Sequence, residues 1–253
     1  VPFLAKAQTE KPTERVLKSF QLSAHGLFDF QGKDGGNLYV QNFFLFAPSE
    51  EARAYNPEGR VFTGFRTRAG YELPFSEKLF GGAQLQYRYI GNSGNFSVRP
   101  YLLRYGKISG VTFGQRLLYQ FEKSNNSLQK DGSFANLALF LEKNFDAGGK
   151  RLSANLSFEL SKDLTRKTKG TERRFISGSV WVLNINYAFA KDLTVGFFAQ
   201  YATNYFFALA LYDENGKEIK PDRKLNINEL HSGLVLRYHI RNHDKQLPVS
   251  LIF

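Results

Sequence analysis

"RLSANLSFELS", residues Arg151 to Ser161, alternates without a break. Leu152, Ala154, Leu156, Phe158 and Leu160 are apolar, while Ser153, Asn155, Ser157, Glu159 and Ser161 are polar. A period of two gives a β-strand one apolar and one polar face, and no helix has that pattern. "GAQLQYRYI" (Gly82 to Ile90) and "TGFRTRAGYEL" (Thr63 to Leu73) repeat it. Comparable runs lie near 20–30, 96–105, 111–122, 134–145, 175–189, 193–206 and 226–240. The longest uncharged run, Leu193 to Tyr212, contains Gly196, Gln200, Thr203 and Asn204 and is rich in aromatic rings, so it reads as a long strand and not as a membrane helix.

Composition narrows the class. A 42% hydrophobic content with 25 Phe and 13 Tyr gives the chain ample apolar surface, and 253 residues can form one large all-β domain. The net charge of +11 favours an anionic partner. The absence of Cys excludes disulfide scaffolds, thiol nucleophiles and cysteine metal sites. "VPFLAKAQ" carries a small-x-small pattern at Ala5-Lys6-Ala7 after an apolar stretch, the form of a signal-peptidase site. Residues 1–7 are therefore expected to be a signal-peptide remnant, 8–240 the folded unit, and 241–253 a tail or an additional strand.

The links between strands alternate in length. Pro74 to Lys78, Gly106 to Gly110, Asp146 to Lys150 and Ala190 to Asp192 are short, whereas Ser124 to Ser133, Lys162 to Arg173 and Asp213 to Lys224 are long, with Asn92 to Asn95 the shorter exception. Tight turns at one end and extended loops at the other are the hairpin asymmetry of an outer-membrane barrel. Alternation alone leaves open which face looks inward. A soluble ligand-binding barrel keeps its apolar face inside, and a membrane barrel turns it out to lipid. Tyr71, Tyr87, Tyr89, Tyr105, Tyr119, Phe121, Phe145, Tyr187, Phe189, Tyr201 and Tyr238 fall toward strand ends, where amphipathic rings settle at membrane interfaces, and this favours the second arrangement.

Near the C-terminus, His231, Gly233, Leu236 and Tyr238 in "HSGLVLRYHI" follow a polar-x-Gly-x-x-hydrophobic-x-aromatic order, and the last residue is Phe253. This resembles the assembly signal in the last strand of outer-membrane barrels. The whole chain looks like a small outer-membrane β-barrel of Gram-negative bacteria. The resemblance implies an antiparallel up-and-down transmembrane barrel in the outer membrane of such a bacterium. Its implied partners are the assembly machinery, membrane lipid and lipopolysaccharide. With both ends on the periplasmic side the strand count is even. Ten strands leave Asn37 to Ala47 in a long first loop and residues 248–253 in a tail; counting both segments gives twelve. Under the ten-strand reading Phe43, Phe44 and Phe46 should pack into the mouth or against a partner.

Parity places Arg66, Arg68, Arg88, Arg99 and Arg116 on the presumed inner face, with Glu72, Glu122, Glu142, Glu159 and Glu229 as partners. Buried charges must be paired, so a dense network plugging the barrel is the expected state, and a narrow anion-preferring channel is the alternative. Ser23, His25 and Asp29 share one face of the first strand and are the residue types of a nucleophile, base and orienter. His25 and Asp29 would lie about 13 Å apart on a straight strand, which makes them weak catalytic candidates for a lipid-acting enzyme. His231 and His239 would be about 27 Å apart and cannot share a metal. No zinc, thiol or phosphate-loop motif is present, and no cofactor is expected.

Lys162, Arg166, Lys167, Lys169, Arg173 and Arg174, with Lys217, Lys220, Arg223 and Lys224, concentrate positive charge on two long links suited to lipopolysaccharide phosphates. These stretches interleave no aromatic rings, which argues against nucleic acid. The expectation is a non-enzymatic structural or accessory subunit of an outer-membrane complex.

Overall fold

The computed structural model describes residues 13–33, 35–47, 60–90, 93–125, 131–165, 176–208, 211–220 and 223–242, and none of these is helical. The strands are β1 (Thr13–Gln31), β2 (Asn37–Phe46), β3 (Phe62–Pro74), β4 (Leu79–Ile90), β5 (Ser93–Ile108), β6 (Val111–Ser124) and β7 (Gly132–Ala147). They continue with β8 (Lys150–Asp163), β9 (Gly178–Ala188), β10 (Leu193–Ala208), β11 (Leu211–Tyr212), β12 (Glu218–Lys220) and β13 (Arg223–Arg241). All but β11 and β12, which pair as a small separate hairpin, form one closed barrel in chain order. Neighbours are antiparallel except where β1 meets β13 in parallel, from Thr13 opposite Leu225 to Asp29 opposite Arg241.

The all-β up-and-down barrel is thus the observed architecture, with eleven strands in its wall where ten or twelve were expected. Asn37 to Phe46 is a wall strand and not part of a loop. Gly32 to Gly36, with Gly35 at φ 80°, makes the tight turn that precedes it. A meander reverses direction at each hairpin, so an odd number of strands leaves the first and last pointing the same way. Closure is therefore parallel, and the barrel begins at one end and finishes at the other, not with both ends on one side. Residues 1–7, and with them the expected signal segment, lie outside the described residues, as do 248–253 and Phe253.

Turn chemistry sets the two ends apart. Ser109 and Gly110 (φ 49° and 78°), like Gly148 and Gly149 (φ 64° and 77°), supply the two positive φ values of a two-residue hairpin turn. With Gly32–Gly36, Phe75–Lys78 and Phe189–Asp192 they line one end of the barrel. The links 47–61, 125–131, 164–177 and 209–222 leave from the other end, where 91–92 is the short exception.

Most polar strand residues are buried inside the barrel and most apolar ones face out, with Tyr39, Phe43, Tyr101, Leu103, Leu118 and Phe140 as inward-facing exceptions. Gln84 and Gln86 are 2% and 5% exposed, whereas the intervening Leu85 is 50% exposed. Asn155 and Asn184 are fully buried beside exposed Leu156 and Leu183. Toward the tight-turn end the outer face carries Phe30, Tyr71, Phe75, Phe145, Tyr187, Phe189 and Tyr238; toward the other it carries Phe44, Phe62, Tyr87, Phe96, Tyr119, Phe121, Trp181 and Tyr201. Tyr105 departs from the expected belt. It stacks on Phe80 at 5.0 Å and packs against the buried cluster of Tyr101, Leu103, Leu118 and Phe140, because it shares strand parity with inward-facing Tyr101 and Leu103. The Phe43–Phe46 segment also divides by parity. Phe43 is buried, Phe44 points outward, and Phe46 packs on Phe62 at 5.6 Å.

Glycines let aromatic rings lie flat on the wall. Tyr39 covers its register partner Gly70, Tyr101 covers Gly82, and Phe140 covers Gly114; a Cβ at any of the three would strike the ring. Gly233 is tighter still. A Cβ there would collide with the Gln21 carbonyl of β1, which is backbone and cannot swing aside. Gly233→Ala is therefore expected to weaken closure by about 1–3 kcal/mol or more. The measurement is the urea midpoint of the purified chain refolded in detergent, where no assembly factor contributes. An unchanged midpoint would show that the close approach carries no such constraint.

Candidate functional site: the polar lumen

Alternation on β2 to β5 aims a row of polar side chains inward, and pairing brings them into one chain of hydrogen bonds. Arg68 Nε donates to Gln86 Oε1 at 2.7 Å and Arg99 Nη1 donates to the same oxygen at 3.0 Å. Arg99 Nη1 also reaches Gln84 Oε1 at 2.8 Å. Gln84 Nε2 donates to the Tyr39 hydroxyl (3.0 Å), which lies 3.1 Å from the Tyr101 hydroxyl, and Tyr101 donates to Glu72 at 2.9 Å. The Phe43 ring lies 4.4 Å from the Arg66 guanidinium and 5.4 Å from that of Arg68, with His25 edge-on at 4.6 Å. Neutral amides and ring faces thus hold three guanidinium groups. Arg66 Nε, Arg68 Nη1 and Arg99 Nε are buried without an acceptor among the described residues, so this wall is rich in donors.

The remaining lumen charges meet elsewhere. Arg116 pairs with Glu159 at 3.0 Å across β7, where small Ala138 leaves room, and Arg88 pairs with Glu122 at 3.5 Å. Glu142 lies near Asn144, and Asp29 faces His239 at 3.6 Å. Ser23, His25 and Asp29 all belong to the inner face of β1, but His25 abuts Phe43 while Asp29 turns to His239.

At the parallel seam the Ser19 hydroxyl bonds His231 Nδ1 at 2.5 Å, Gln21 Nε2 reaches both at 3.3 Å, and His231 Nε2 lies 3.2 Å from Glu229. Ser19 and His231 are register partners, and Glu229 sits two residues away on the same face, so pairing alone brings the cluster together. Sequence reading placed His231 in an assembly motif and passed over Ser19, because no spacing rule relates a first strand to a last one. Gly233 is buried, and Leu236 and Tyr238 face outward on β13.

A cavity of about 150 Å³ opens at the tight-turn end, lined by Arg151, Lys191, Arg237, Arg241, Glu142 and Asp192 among others. Arg237 is anchored by Asn186 and, at 3.3 Å, by Asn184. Of the basic-link residues, Lys162 is the penultimate residue of β8, exposed Lys217 lies in the turn before β12, Lys220 ends β12, and Arg223 and Lys224 begin β13; Arg166, Lys167, Lys169, Arg173 and Arg174 lie outside the described residues.

No protein-family model, curated protein or solved structure matches the chain.

Gln86 is the joint of the central network, because two buried cations share its one carbonyl. Gln86→Leu should cost about 1–3 kcal/mol by stranding Arg68 Nε, while Arg99 Nη1 keeps its bond to Gln84. Gln86→Glu, which restores an acceptor, should recover most of the loss. Urea titration of the two variants in detergent checks this, and equal midpoints for Gln86→Leu and the native chain would remove Gln86 from that role.

Proposed function

We propose that the chain is an outer-membrane β-barrel of a Gram-negative bacterium, acting as a structural or accessory subunit of a membrane complex with its lumen closed by its own side chains. The supporting observation is the inverted polarity of the wall, which exposes a continuous leucine and aromatic surface and buries Gln, Asn, Arg and Glu. Water would penalise that outer surface, and lipid would not. Even the shortest wall strand, β2, has 10 residues, within the 9–11 or so that a tilted strand needs to cross the hydrocarbon core. In this reading the two aromatic belts sit at the interfaces, the tight turns face the periplasm, and the basic links meet lipopolysaccharide. The β13 motif then serves the assembly machinery.

A narrow anion passage is the second reading, favoured by the donor-rich wall and the basic cavity at one mouth. Single-channel recording separates the two, since the closed barrel passes no steady current. For the membrane assignment, Leu183→Arg is informative because Leu183 stands mid-strand on the outer face. A charge there should oppose insertion into liposomes by about 2–4 kcal/mol. Folding yield by electrophoretic mobility, together with membrane fractionation of the native protein, gives the readout. Undiminished insertion of Leu183→Arg, or recovery of the native protein in a soluble fraction, would overturn the proposal.

A further inference from the structure

We propose that the cavity at the tight-turn mouth is a binding site for a phosphate group. Arg151, Lys191 and Arg241 converge on it from β8, the β9–β10 turn and β13, and among the described residues none of the three has a carboxylate partner. Arg237 forms a fourth cationic wall and is held in place by Asn184 and Asn186. Glu142 and Asp192 supply the acidic charge in the lining, so the four cations exceed the carboxylates by two. Like charges gathered around a partly enclosed space repel, and an anion placed between them reverses that cost.

Size and charge select the class of anion. A volume of about 150 Å³ leaves ample room for a phosphate group among these side chains. Phosphate carries about −1.5 to −2 near neutral pH, close to the local excess, and its oxygens accept the forked donors of arginine. Tyr238 also borders the cavity although its ring faces outward, so the site adjoins the outer surface. A lipid head group and free phosphate can therefore both present the same chemistry. The site does not depend on where the barrel resides.

The test uses the full chain refolded in a phosphate-free, non-ionic detergent and titrated with inorganic phosphate in a calorimeter at fixed ionic strength. Saturable binding of one phosphate per chain is expected, with chloride unable to compete. Arg151 and Lys191 are exposed, so Arg151→Gln with Lys191→Gln should leave the unfolding midpoint unchanged and weaken phosphate roughly tenfold or more. Lys78→Gln, in the β3–β4 turn at the same end of the barrel but away from the cavity, should leave affinity unaltered. Native mass spectrometry of protein extracted from membranes separates the sources. A retained phospholipid that phosphate displaces identifies a head group, and binding of inorganic phosphate without retained lipid identifies the free ion. Absence of saturable binding, equal competition by chloride, or unchanged affinity in the double variant would overturn the proposal.

Discussion

Closure between β1 and β13 is the contact on which the rest of the barrel depends. Every other pair of neighbouring wall strands is joined through the intervening chain, and where the link is a tight turn it fixes register locally. The two outermost strands meet only through space. A slip of one residue there would carry Arg237 and Val235 to the outer face and Leu234 and Leu236 to the lumen, inverting the polarity of the seam. Three features oppose the slip. Gly233 admits the β1 backbone at a single position, Ser19 and Gln21 hold His231, and Asp29 meets His239 from the opposite strand. Parallel pairing is slightly weaker per residue than antiparallel pairing, so these side-chain contacts reinforce a long ladder that has no covalent link to set its register.

The inner face then shows how amide oxygens and ring faces hold cations inside a barrel. Arg68 and Arg99 share the neutral carbonyl of Gln86, and Arg66 lies over Phe43. Arg88 and Arg116 meet carboxylates within ion-pair distance. An amide acceptor carries a smaller desolvation penalty than a carboxylate, because one fewer full charge leaves water. Glycine at the register partners of Tyr39, Tyr101 and Phe140 lets large rings lie against the wall beside this network.

Much of this was legible in the sequence because a period of two is a local signal. The parity that put Arg66, Arg68, Arg99 and Arg116 on one face needs only the neighbouring residues. Closure is not local. Asn37 to Phe46 is apolar on part of both faces, since Phe43 is buried against lumen cations while Phe44 points outward, so its alternation is blurred. An expectation of an even strand count then absorbed it into a loop. Likewise, Arg237 reaches Asn184 and Asn186 across β10, where Gly196 leaves space, and no sequence interval encodes that span. Tyr105 lay at a strand end as the belt required, and parity, which put it inside, outranks position along the strand.

The two regions of the lumen divide stability from recognition for a physical reason. In the buried centre a cation is held by an acceptor or a ring, and breaking one of those contacts strands a buried donor. Charge without a partner can persist only where water reaches it. Among the described residues, Arg151, Lys191 and Arg241 meet no carboxylate at the tight-turn mouth, beside a cavity, whereas Arg68 and Arg99 at the centre are bound to amides. An anion entering that mouth gains the favourable charge interaction without dismantling the network that holds the wall. Deeper passage would require it to replace Gln84 and Gln86 as acceptors for Arg99, disrupting the hydrogen bonds that join β3, β4 and β5 across the interior.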